Sequence, residues 1–266
     1  TISVYFMKLR ILIITLLLFF ACSANEEANI QSEQEIYEYS PQASLDLYVS
    51  ANRFLDQRNY KEAEKTFKKL LILDPKFSKA WEGYADSMLL QNDLESAINL
   101  LDQAISLNPL ISSHYSKKSL VLYYLEDFED AEKYTLKALE LEKSDARALI
   151  VLGSIKTQNG FFEESEDIFQ RALNLEPDDS SIYFWRAKAY IIMSNFESAM
   201  SDFNKSIELD RSQPAYYIER ALLYKFFGDI DKAILDLKEA IEVAKNPRNQ
   251  QLINKASSIL EDIENQ

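Results

Sequence analysis

Apolar residues recur along the chain with a period of 34 residues, from Ser44 to about Pro247, without a gap or an insertion. Each unit contains two stretches in which apolar residues return at helical spacing, separated by a polar or glycine-containing turn. This pattern predicts two helices in each unit and six helix pairs in the chain. One largely aromatic and aliphatic column opens every second stretch: Tyr60, Leu94, Phe128, Phe162, Phe196 and Ile230.

Two further columns consist of small residues, which let paired helices approach closely. They are Ala51, Ala85, Ser119, Gly153, Ala187 and Ala221, and Ala63, Ala97, Ala131, Ser165, Ala199 and Ala233. Because one pair cannot bury its own apolar face, we expect the pairs to stack. The predicted pairs are residues 44–77, 78–111, 112–145, 146–179, 180–213 and 214–247. Residues 248–266 have one apolar and one polar face, which predicts a C-terminal capping helix.

The unit columns resemble the tetratricopeptide repeat. The second unit carries Trp81, Tyr84, Ala85, Met88, Ala97, Leu101 and Pro109, and the fourth carries Leu149, Leu152, Gly153, Phe169, Ala172 and Pro177. The resemblance implies an all-α fold, a right-handed α-solenoid of six helix pairs plus the capping helix. It also implies that the first helix of each pair lines a concave groove, which holds a peptide or an extended protein segment. The carboxylate-clamp pattern of cochaperone members is not matched, so a C-terminal chaperone motif is not an expected ligand.

Mapping that concave face onto the chain yields a set of candidate partner-binding residues. They are Tyr48, Asn52, Lys117, Tyr123, Tyr124, Arg147, Phe184, Trp185, Lys188, Ile192 and Phe226. Trp and Tyr are enriched at binding hot spots, so Trp185 and the Tyr123–Tyr124 pair lead this set. The scattered cations are expected to select acidic groups on the partner. The alternative is that the aromatic residues pack between repeats. His114, with no second histidine or nearby cysteine, is expected to be solvated.

The amino-acid composition excludes most kinds of catalytic, metal and cofactor site. The chain of 266 residues has one Cys, one His and four unclustered Gly, which excludes an internal disulfide, a His-rich metal site and a glycine-rich phosphate loop. The 43 Asp+Glu exceed the 29 Lys+Arg, and the net charge of −14 argues against a nucleic-acid partner. We therefore expect a non-enzymatic protein, with no catalytic, metal or cofactor site.

Residues 1–24 indicate an N-terminal extension followed by an export signal, in which basic residues precede the apolar run Ile11–Ala21. Eleven residues are too few to span a bilayer, which needs about 20. The only cysteine, Cys22, directly follows this run, and its surroundings resemble the lipobox of bacterial lipoproteins, which implies lipidation at Cys22. An ordinary secretory signal cleaved after Ala24 is the alternative. Residues 25–43 carry Glu and no Lys or Arg, which predicts an acidic flexible tether.

This plan of signal, lipobox, tether and six repeats is similar to lipoproteins that assist assembly of the type IV pilus secretin. It implies a bacterial envelope scaffold, facing the periplasm from the outer membrane and held there through Cys22. A soluble secreted or cytoplasmic adaptor is the alternative. Signal removal takes away two basic residues and leaves a net charge of −16. Because such a body is repelled by anionic headgroups, attachment is expected to rest on acyl chains rather than a basic patch.

Overall fold

A computed structural model of the protein describes residues 40–245 and 249–265, which contain thirteen α-helices and no strand. The predicted all-α helical repeat is confirmed. Cys22, the export signal and nearly all of the predicted tether lie outside the described residues. The helices are α1 (Pro41–Asp56), α2 (Tyr60–Leu73), α3 (Ser78–Leu90), α4 (Leu94–Leu107), α5 (Ser112–Tyr124), α6 (Phe128–Leu141), α7 (Ala146–Gln158), α8 (Phe162–Leu175), α9 (Ser180–Ile192), α10 (Phe196–Leu209), α11 (Pro214–Phe226), α12 (Ile230–Ala244) and α13 (Gln250–Glu264).

The turn inside every pair contains one residue with a left-handed backbone. These residues recur every 34 positions and are Arg58, Asn92, Glu126, Gly160, Ser194 and Gly228, with φ between 54° and 80°. The left-handed residue ends the first helix. The amide of the residue after it donates to a carbonyl in the last turn of that helix, as Asp93 N does to Met88 O at 2.9 Å. Several second helices are then capped by a side chain, for example by Asp127, whose Oδ1 accepts from Asp130 N at 3.3 Å.

The two small-residue columns lie in the core, where every member is buried. Gly153 shows why: a Cβ there would lie 2.9 Å from the ring of Phe169. The phenyl rings of Phe67, Phe169 and Phe203 occupy the same position in three second helices and are fully buried. The close approach predicted from the columns is therefore made by large rings packing onto small residues.

The first helices of successive pairs lie side by side, as α5 does with α7 and α7 with α9, while each second helix packs onto the next first helix. Ion pairs also join the two helices of one pair. Arg186 binds Asp202 through two hydrogen bonds of 2.7 and 2.9 Å, and Arg220 binds Asp236 in the same way one repeat later. The first helices thus form one wall, on the side of the stack where the sequence predicts the groove.

Residues 45–266 form one compact unit, in which the first pair contacts the end of the fifth. The Nη2 atom of Arg58 donates to the carbonyl oxygen of Ser212 at 2.6 Å and to Oε1 of Gln213 at 3.1 Å. Arg58 lies in the α1–α2 turn, and its two partners precede α11. No helix in the described part of the chain is long and apolar enough to cross a membrane.

Candidate partner-binding surface

Two cavities open on the wall of first helices. Cavity I, of about 480 Å³, lies between the first turns of α5, α7 and α9 and includes Ser113, Lys117 and Trp185 in its lining. Cavity II, of about 490 Å³, lies beside the last turns of α1, α3 and α5. Leu120 and Arg147 line both cavities. The two cavities therefore form one continuous surface across the first five repeats.

Arg147 stands at the junction of the cavities. It follows Asp145, the N-cap of α7, by two residues, and its side chain is exposed. Within the described residues it forms no ion pair. Its charge lowers the pKa of the Tyr124 hydroxyl, although burial raises that pKa by more. A guanidinium in this position can bind a carboxylate through two parallel hydrogen bonds.

Lys117 lines cavity I, but its charge is already balanced. Its Nζ lies 2.7 Å from Oε1 of Glu82 and 2.5 Å from Oδ2 of Asp86, both on α3. Burial lowers the pKa of Lys117, and the two carboxylates more than reverse this, so the pKa is raised. Lys117 therefore ties α5 to α3, which leaves Arg147 as the cation available to a ligand at this junction.

The solvated position expected for His114 is wrong. His114 is fully buried in the first turn of α5, and its Nδ1 lies 2.5 Å from Oε2 of Glu82. The same carboxylate oxygen accepts from the hydroxyl of Ser113 at 2.8 Å. Burial acts to raise the pKa of Glu82, but His114, Lys117 and Ser113 together hold it well below its usual value. The sequence places Glu82 thirty-two residues before His114, and only helix stacking brings them together.

An aromatic bridge crosses the wall over α7. The ring centroid of Trp185 on α9 lies 5.7 Å from that of Tyr123 and 5.9 Å from that of Tyr124, both on α5. Trp185 also packs against the buried cluster that contains Ile150 of α7. Lys188 lies 4.9 Å from the Trp185 ring centroid, and burial lowers the pKa of its ammonium group. The structure thus brings Tyr124, Trp185 and Arg147 together, with part of each aromatic ring used in packing.

The remaining candidates lie outside cavities I and II. The ring centroid of Tyr48 lies 5.2 Å from that of Phe77, and Asn52 donates to the Tyr48 carbonyl at 2.8 Å. The ring centroid of Phe184 lies 4.8 Å from that of Tyr216. Ile192 is exposed at the end of α9, and Phe226 is 68% exposed, with its ring centroid 5.1 Å from that of Phe196. Tyr48 and Phe184 therefore act in packing between helices, which is the alternative that the sequence left open.

Leu120 was not among the candidates, although it lines both cavities. It lies three residues after Lys117 on α5, so helical spacing puts both on one face. That spacing is the signal by which the sequence could have indicated it. Across residues 40–245 and 249–265, no three His, Cys, Asp or Glu side chains are grouped so as to hold a metal ion.

Models of the tetratricopeptide repeat match residues 54–117, 117–173, 180–213 and 214–247. The chain belongs to the tetratricopeptide-repeat family. Solved structures of repeat proteins share the fold at low sequence identity. A tetratricopeptide repeat protein from Parabacteroides merdae is 22% identical, with a TM-score of 0.67 over 90% of this chain and 89% of that one.

Two longer proteins also share this tetratricopeptide-repeat fold. The Cut9–Hcn1 hetero-tetramer of the APC/C contains a chain that is 21% identical, with a TM-score of 0.65 over 83% of this chain and 42% of that one. An IFIT1 mutant in complex with a capped RNA is 19% identical, with a TM-score of 0.60 over 69% and 46%. This chain thus spans less than half the length of either protein. No curated protein sequence matches it significantly.

Proposed function

We propose that the protein is a non-enzymatic scaffold whose concave wall binds a polypeptide segment of a partner protein. The observation that carries this proposal is the unpaired, exposed guanidinium of Arg147 between two connected cavities. Family membership supports it, since stacked repeats create extended concave binding surfaces. We propose no enzymatic activity, because the residues named on the wall suit the binding of a segment and not the making or breaking of bonds.

The bound segment would use both kinds of contact that the wall offers. Leucines, including Leu55, Leu89 and Leu120, form half of the lining of cavity II and suit apolar side chains, while Asp56 and Asp86 disfavour a carboxylate there. Arg147 suits a carboxylate that follows or precedes those side chains. An extended or helical segment with apolar residues beside an Asp or Glu fits this arrangement.

Photo-crosslinking in cells tests the binding surface. A benzoylphenylalanine at position 120 faces both cavities, whereas one at position 136, the exposed Leu136 of α6, serves as the matched control. We expect a crosslinked partner from position 120, reduced by Arg147→Ala and absent from position 136. Equal products from both positions, or none from position 120, would contradict the proposal.

We further propose that the chain is a bacterial envelope lipoprotein, attached through acylated Cys22 and facing the periplasm from the outer membrane. The support is sequence-based: Cys22 is the only cysteine and directly follows the apolar run of the export signal. The plan is similar to lipoproteins that assist assembly of the type IV pilus secretin, so we propose a role in assembling an envelope complex.

Metabolic labelling with a fatty-acid analogue tests the anchor. We expect label and membrane fractionation of the natural chain, and loss of both in Cys22→Ala. Label that persists in Cys22→Ala would refute attachment at this residue. A soluble, unlabelled natural chain would instead favour the adaptor without a lipid anchor.

A further inference from the structure

The outer face of α2 differs in charge from the equivalent face of the other repeats. We call Lys61, Lys65, Lys68, Lys69 and Ile72 the basic face; the spacing of these residues places them along one side of the helix, and all are exposed. The first repeat, residues 44–77, has seven Lys+Arg and five Asp+Glu, whereas residues 78–111 have one and five. A cationic surface is therefore concentrated at one end of an acidic protein.

Lys61 carries a positive charge at a repeat position that is acidic in every other repeat. The equivalent residues in the other five repeats are Glu95, Glu129, Glu163, Glu197 and Asp231. They lie in the first turn of their helices, where the macrodipole favours negative charge. A lysine in this place costs about 0.3–1 kcal/mol relative to the favoured charge. A residue that breaks the local rule without a local gain points to a function.

Ile72 is an apolar residue in a second column of the same face, where the other repeats have polar residues. Its side chain is the most exposed of the large apolar residues in the described structure, at 81%. The equivalent residues are all polar: Ser106, Glu140, Asn174, Glu208 and Glu242. One outward face thus combines an apolar side chain with several ammonium groups, as faces that lie in a membrane interface do.

Lys65 and Lys69 of the basic face have no carboxylate partner among the described residues, unlike their equivalents in the third repeat. Lys133 and Lys137, which correspond to Lys65 and Lys69, pair with Asp130 at 3.0 Å and with Glu140 at 2.9 Å. Among the described residues only Lys68 of the basic face has a carboxylate partner, Glu64, at 2.6 Å. A recess of about 430 Å³ opens among the four lysines and Ile72, and Glu64 and Gln91 also line it. Because Glu64 is paired with Lys68, the other three lysines leave the lining positively charged, with room for a phosphate-bearing group.

We propose that the basic face seats the protein on an anionic lipid bilayer. This inference rests on the proposed attachment at Cys22, which would hold the first repeat close to the headgroups. Only eighteen residues, 23–40, separate Cys22 from the start of α1 at Pro41. Each lysine near an anionic surface contributes about 1 kcal/mol, a local effect that the total charge of the chain conceals.

This seating also orients the wall. Only residues 57–59 separate α1 from α2, and because so short a turn reverses the direction of the chain, the two helices run antiparallel. Ile72 and Lys69 therefore lie toward the end where the chain from Cys22 enters. Repeats two to four are strongly acidic and are repelled by the same headgroups. The concave wall would then stand away from the bilayer, open to a partner.

Chemical coupling tests this proposal separately from native lipidation. The chain from residue 22 onward, which retains every described residue, is coupled through its only cysteine to a maleimide lipid. The vesicles consist of phosphatidylcholine alone or mixed with phosphatidylglycerol. The acetylation rate of each lysine is then measured by mass spectrometry. We expect Lys61, Lys65 and Lys69 to react about tenfold more slowly on the anionic vesicles than on the neutral ones.

The matched variants are Lys65→Glu/Lys69→Glu and Lys133→Glu/Lys137→Glu, which make the same change at equivalent positions of repeats one and three. Only the first pair should abolish protection of Lys61, with unchanged helicity in both. Protection on neutral vesicles, or before coupling, would show that another part of the chain covers the face and would overturn the proposal. Protection that grows with protein concentration would point to a second copy and overturn it too. Because chemical coupling replaces native acylation, this experiment can be interpreted even if Cys22 is not labelled in cells.

Discussion

Tyr123 and Trp185 touch edge to face, with ring centroids 5.7 Å apart, although they belong to the third and fifth helix pairs. The helix between them, α7, has ten of its thirteen residues buried. The wall therefore curves tightly enough for two non-adjacent repeats to meet. The contact divides the concave surface into two cavities that remain connected at Leu120 and Arg147.

Trp185→Ala should remove this bridge and merge the cavities over Ile150. We expect a loss of about 2 kcal/mol in the free energy of unfolding, because Trp185 is only half-buried and the site can partly collapse. Urea unfolding measures this loss, and partner crosslinking from position 120 should fall while helicity is retained. Phe161→Ala, at an exposed ring outside both cavities, is the control and should change neither quantity. Unaltered crosslinking in Trp185→Ala would remove this residue from the binding surface.

Glu82→Gln should destabilise the protein in a pH-dependent way. Its pKa is held below the ordinary value of 4.5 in the folded state by His114, Lys117 and Ser113, against the effect of burial. A depressed carboxyl pKa contributes stability that is present above the unfolded pKa and is lost as the pH falls below it. The variant should lose about 2–3 kcal/mol at pH 7.

Urea unfolding of both proteins, at pH 7 and in steps down to about pH 3, measures this difference. It should shrink steadily below pH 4.5, while Glu140→Gln, at an exposed pair, should show little difference at any pH. A gap between natural chain and Glu82→Gln that stays constant with pH would mean that the charge of Glu82 is not what stabilises the contact.

Glu126→Gly should stabilise the protein. Glu126 has φ of 62° in the turn position that Gly160 and Gly228 occupy in other repeats. A left-handed backbone costs a residue with a Cβ about 1 kcal/mol, which glycine avoids. Thermal unfolding should show a gain of up to about 1 kcal/mol.

The reverse change, Gly160→Ala, should cost a similar amount, although no atom lies within 4 Å of the added Cβ. Backbone strain alone can produce that loss. Opposite signs for the two variants therefore support the assignment, and equal signs would contradict it.

Arg58→Ala should loosen the contact between the first pair and the segment before α11. Three hydrogen bonds from one guanidinium group to Ser212 and Gln213 are lost. Because two of these bonds are exposed and the third is only partly buried, we expect a cost of about 1 kcal/mol, and amide exchange about fivefold faster around Ser212 and in the α1–α2 turn. Arg53→Ala, at an exposed arginine on α1, is the control. Equal acceleration in both variants would mean that the Arg58 contact does not hold the two segments together.

The sequence by itself determined the repeat. The 34-residue period, the small-residue columns and the recurring turn position are local or periodic signals, and each requires only helical geometry to interpret. Two reversed columns, at Lys61 and Ile72, are also visible in the sequence alone. What they mean depends on exposure, which the structure supplies.

Only the tertiary structure decided which candidate residues are exposed and which are held in packing or ion pairs. Lys117 and Arg147 are both cations of the candidate set, yet stacking places two carboxylates on Lys117 and, among the described residues, none on Arg147. The same stacking buries His114 beside Glu82. The contact between Tyr123 and Trp185 depends on curvature, which accumulates from small rotations between successive helix pairs. These rotations depend on many packing contacts between repeats, and no single repeat encodes them. The 34-residue period therefore predicts the wall of first helices but not which residues of distant repeats touch across it.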